Sequence, residues 1–182
     1  MHAPPPYFLA WTIILVMDNS GIPNDGPKDT ESTEPKGLEI YKNEGIVGLA
    51  NQLKKSAETC YMSYKFVPHH AALVATYDPS GEHEPPFLVT VPLELVDCAA
   101  DMSRFLTESI KKYQTCGVVV VSPRHDDPEN PEDMTIIVIA EDLNDTHEWR
   151  YKPELSSEWN LVYSGDKHRC DKFEPMVCRY VN

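Results

Sequence analysis

The stretch VVVVSPRHDDPENPEDMTIIVIA, Val118–Ala140, decides how the chain folds. Val118–Val121 is an apolar β-branched run with no polar alternation, so a strand made from it is covered on both faces and lies inside a sheet. Thr135–Ala140 has the same character. The segment between them is rich in proline and acid, so the two runs read as antiparallel neighbours joined by a polar loop.

That loop has two readings. His125, Asp126, Asp127, Glu129, Glu132 and Asp133 are nitrogen and oxygen ligands of the kind that hold Mg²⁺, Mn²⁺ or Ca²⁺. Pro123, Pro128 and Pro131 interrupt them, however, and the D-x-D-x-D-G spacing of a calcium loop is absent. The loop therefore reads first as a solvated turn. The alternative is a divalent-metal site on His125, Asp126 and Asp127, to which His69 or His70 is brought from a neighbouring strand.

Upstream, Ile46, Leu49, Ala50, Leu53 and Ala57 recur at three- and four-residue steps, which predicts a helix over about 43–59 with one stripe facing a sheet. HHAALVATYD, from His69, reads as a strand that ends in the turn Asp78-Pro79-Ser80-Gly81. Phe87–Val91 pairs back on it. A second helix follows Pro92 and ends near Lys111 and Lys112, which suit the negative pole of its dipole, with Gly117 as the break. Adjacent strand residues project to opposite faces, so His69 and His70 cannot chelate one ion together.

Downstream, HEWRYK has period two. His147, Trp149 and Tyr151 point one way and Glu148, Arg150 and Lys152 the other, as in a half-exposed strand near an edge. Trp159–Tyr163 adds a further strand. The expected fold is α+β, a mainly antiparallel sheet of about five strands covered by two helices, in the order α-β-β-α-β-β-β.

The chain has 182 residues, enough for a single domain with a sizeable core, and its hydrophobic content is 41%. The apolar run Tyr7–Met17 is far shorter than the ~20 residues a membrane-spanning helix needs. Residues 1–17 read as an apolar docking arm or as an extension outside the folded body. Residues 18–36 read as a flexible acidic linker, because between Asp18 and Pro35 there are five acids against one lysine and no aromatic residue. Residues 37–182 form the single α+β domain.

The net charge of −13 argues against direct binding to nucleic acid or to an anionic membrane surface. The five cysteines are an odd number without a C-x-x-C pair, which fits reduced thiols and a cytoplasmic location better than a zinc ribbon or a disulfide framework. Glycine-rich phosphate loops and the G-x-S-x-G nucleophile turn are absent from the sequence.

These features read as a non-catalytic interaction or regulatory module without a cofactor, working through a protein partner or self-association. Its anchors are taken from the aromatic concentration near the C-terminus, namely Trp149, Arg150 and Tyr151. Two other classes stay open. One is a metal-dependent hydrolase using the His125 loop. The other is an acidic mimic that occupies a nucleic-acid-binding groove.

Overall fold

The computed structural model describes residues 36–93, 99–125, 133–154 and 158–168. They form helix α1 (Lys36–Tyr64), strands β1 (His70–Ala75) and β2 (Phe87–Pro92), helix α2 (Ala99–Tyr113), and strands β3 (Gly117–His125), β4 (Met134–Asp142), β5 (Asp145–Lys152) and β6 (Asn160–His168). All six strands join one antiparallel sheet in the order β2-β1-β3-β4-β5-β6. The α+β class holds, with one more strand than the five expected.

Val118–Val121 lies inside the sheet, as its lack of polar alternation requires. On one face Val119 and Val121 pack with Ala72, Val74, Ile136 and Val138 beneath Ile46, Leu49, Ala50 and Ala57 of α1. On the other, Val118 packs with Ala71, Leu73 and Val91 beneath Leu106 and Ile110 of α2. The two helices do not cover equal areas. The core under α1 continues to Tyr151 on β5 and to Trp159 just before β6, whereas the core under α2 stops at β3 and its margin.

Helix α1 is longer than its apolar stripe suggests and is kinked at Gly45, whose φ of 69° lies where a side chain is costly. At its other end Lys65 takes a positive φ and donates its backbone N–H to the Tyr61 carbonyl at 2.8 Å, closing the helix. Pro92, which suits the first turn of a helix and is expected near the start of α2, is instead the last residue of β2, and α2 is described from Ala99. It ends in a Schellman motif. Gln114 has φ 46° and donates to the Lys111 carbonyl at 3.3 Å, and Thr115 donates to the Ile110 carbonyl at 3.1 Å.

Between β1 and β2 the carboxylate of Asp78 organises the connection, accepting from the backbone N–H groups of Ser80 (2.9 Å), Glu82 (2.9 Å) and His83 (2.7 Å). Burial pushes this carboxyl up, but the hydrogen bonds from Ser80 and His83 outweigh it and hold the group well below the usual carboxylate range.

Candidate functional site

The end of the sheet formed by β5 and β6 concentrates aromatic side chains on both faces. On the α1 face, Tyr151 is 9% exposed. Its ring lies 6.4 Å from that of Trp159, and Trp159 in turn meets Tyr61 of α1 edge-on at 6.3 Å. The Lys54 ammonium sits 5.0 Å above the Tyr151 ring and 2.7 Å from Glu58 Oε1. That same oxygen accepts the backbone N–H of Trp159 at 2.9 Å. The buried Glu58 thus fixes the start of β6 to the C-terminal part of α1, and burial, with Glu58 adding to it, pushes the Tyr151 phenol up. Trp149 shares this face, half-buried and stacked on His147 at 5.5 Å.

Arg150 is on the opposite face. It is exposed, its Nε donates to Glu148 Oε1 at 2.7 Å, and its Cζ lies 5.0 Å over the ring of Tyr163. The three residues singled out from the sequence are therefore divided between two surfaces. Trp149 and Tyr151 pack toward α1, and Arg150 joins Tyr163 on the face that α2 leaves open among the described residues.

Sequence reasoning did not single out Leu161 and Val162 as surface residues. They are 51% and 51% exposed, and Tyr163 beside them is 43% exposed. Tyr151 pairs with Leu161 and Arg150 with Tyr163, so Val162 is the extra residue of a β-bulge and the strand bends there. The available signal was the unalternated run Leu161–Tyr163 in the last strand. Such a run reads as buried only if strands flank it on both sides.

The polar candidates lie elsewhere. His125 is exposed at the end of β3, and Asp126 and Asp127 lie outside the described residues. Among the described residues no group of three or more His, Cys, Asp or Glu side chains is placed to hold a metal ion. His69 and His70 flank opposite faces of the start of β1. His70 is buried and, since a carbonyl only accepts, donates its Nδ1–H to Pro68 O at 2.9 Å. His69 Nδ1 lies 3.0 Å from Ser122 Oγ across the β1–β3 ladder. Burial lowers both imidazole pKa values. His125 adds to the effect at His69. At His70 the Pro68 bond works against it.

Of the cysteines, Cys60 is buried and Cys116 half-buried, and neither is in a disulfide. Cys116 Sγ lies 3.8 Å from the Tyr41 hydroxyl, which burial and this neighbour push up. Cys98, Cys170 and Cys178 lie outside the described residues. No described helix is long and apolar enough to cross a membrane.

No family model matches the chain, and neither a curated protein nor a solved structure matches it. A functional reading therefore rests on the geometry above.

Proposed function

We propose that the protein is a non-catalytic interaction module that binds a protein partner along β6, in the mode in which an extended segment adds a strand to a sheet edge. One observation carries this. Leu161, Val162 and Tyr163, three consecutive apolar residues, are each about half exposed on the last strand of the sheet, which has no neighbour on its outer side among the described residues. Soluble proteins usually blunt such an edge with charge or proline, or cover it.

Arg150 and Tyr163 flank the edge on the open face, so an added strand has a planar cation and an aromatic ring beside its side chains. Trp149 and Tyr151 support the surface from beneath. Main-chain hydrogen bonds supply the affinity, and the Arg150–Tyr163 pair supplies the preference among partners.

The test is affinity capture and sedimentation with the full chain and with Leu161→Lys plus Tyr163→Ala. The expected result is a bound protein or a self-associated species that the double variant loses while its melting curve is kept. A chain that stays monomeric and captures nothing sinks the proposal. Titration with Mg²⁺, Mn²⁺ and Zn²⁺ separates it from the hydrolase reading, which requires saturable binding that is lost in Asp126→Ala with Asp127→Ala. A nucleic-acid mimic instead requires a basic partner whose binding falls steeply with salt.

A further inference from the structure

At the other end of the sheet, β2 forms a second outer edge among the described residues. A groove of about 260 Å³ runs between it and α2, with Val89, Val91, Phe105 and Tyr113 as apolar walls and Glu108 and Lys112 at its margin. Phe105 is 38% exposed there. Leu93 donates its N–H to the His69 carbonyl at 3.0 Å, so by strand alternation Val89 and Val91 also turn their N–H groups toward β1, and Leu88 and Thr90 turn theirs outward. Pro92 falls at the next outward position, where a residue without an N–H forfeits no bond to β1.

We propose that this groove is the seat of the chain's own apolar run Tyr7–Met17, which adds as a strand along β2. The inference goes beyond the partner-binding role of β6 and does not depend on it. Three observations carry it. First, α1 starts over β2, since a Cβ on Gly37 would come within 2.9 Å of Leu88 Cδ1, so the described chain begins beside this edge, on the sheet face opposite the groove. Second, the connecting residues, Asp18–Pro35, reach up to ~60 Å when extended. The β2 edge is only about 20 Å long, so the linker spans it easily and holds the run at roughly millimolar effective concentration. Third, the charges match. The groove-side helix carries three cations, Arg104, Lys111 and Lys112, against two acids, Asp101 and Glu108, whereas Asp18–Pro35 carries five acids against one lysine.

Amide exchange in the full chain tests this at four neighbouring positions, compared with Trp11→Asp plus Ile13→Asp. Docking slows the outward amides of Leu88 and Thr90 by about tenfold or more relative to the variant and leaves the inward amides of Val89 and Val91 unchanged. Equal rates for Leu88 and Thr90 in both proteins, or acceleration of all four alike in the variant, overturn the proposal.

A photoreactive phenylalanine analogue at position 105 gives an independent reading in otherwise unaltered chain. The expected product is an intrachain cross-link to residues 7–17 whose yield does not change with protein concentration. Cross-links only to a second copy, or to none of residues 7–17, overturn it.

Discussion

The guanidinium of Arg150 lies 5.0 Å over the ring of Tyr163, across the β5–β6 ladder and on the face opposite the buried Tyr151. Adjacent residues of one strand thus serve different ends, Tyr151 holding the helix layer to the sheet and Arg150 dressing its surface. An exposed cation–π pair contributes ~0.5–1 kcal/mol. Arg150→Glu therefore lowers unfolding stability by about 1 kcal/mol or less, measured by urea denaturation, and weakens partner capture far more than that loss explains.

Glu58 gives the opposite expectation. Its Oε1 receives both the Lys54 ammonium and the Trp159 backbone N–H. Glu58→Ala leaves that buried N–H without its acceptor and costs roughly 2–3 kcal/mol, whereas Glu58→Gln keeps an acceptor oxygen and costs less. Chemical denaturation of the two variants side by side checks the order.

The two histidines at the start of β1 predict acid sensitivity. Burial holds both below their unfolded pKa of about 6.5, so the folded state keeps them neutral while the unfolded state gains protons as pH falls. Stability is full above pH ~6.5 and declines below it by up to roughly 1.4 kcal/mol per pH unit for the buried His70, and over a narrower range for the half-exposed His69, where solvent screens the effect, until each folded pKa is reached. His70→Asn, which keeps a donor toward Pro68 O and cannot titrate, flattens the slope in denaturation series between pH 7.5 and 5.5.

Gln114 sits at the position after α2 where glycine is usual. Gln114→Gly relieves the positive-φ cost and stabilises the protein by about 0.5–1 kcal/mol, or ~1–4 °C in melting temperature for a chain of this size. Differential scanning calorimetry reads the change directly.

The sheet was legible where burial leaves a local trace. Val118–Val121 and Thr135–Ala140 announce strands covered on both sides, and Ile46 to Ala57 announces a helix stripe, because the periodicity of each is set by its own neighbours. Pro92 misled for a physical reason, since a residue with no N–H suits the first turn of a helix and an outer strand equally well. The alternation of His147–Lys152 fixed which side chains share a face. It carried no information on which face α1 would cover. That is set by packing between residues far apart in sequence, such as Glu58 and Trp159, which bond across 101 positions.

The unequal reach of the two helices also gives the sheet a polarity. One end pairs a groove with its outer strand, and the other offers a bent apolar ribbon whose outer side is bare among the described residues. Contact between unlike ends of successive copies would repeat head to tail and, wherever the rotation does not close a ring, grow into a filament. An occupied groove removes one of the two partners such growth requires, which would keep a molecule built on an open sheet finite.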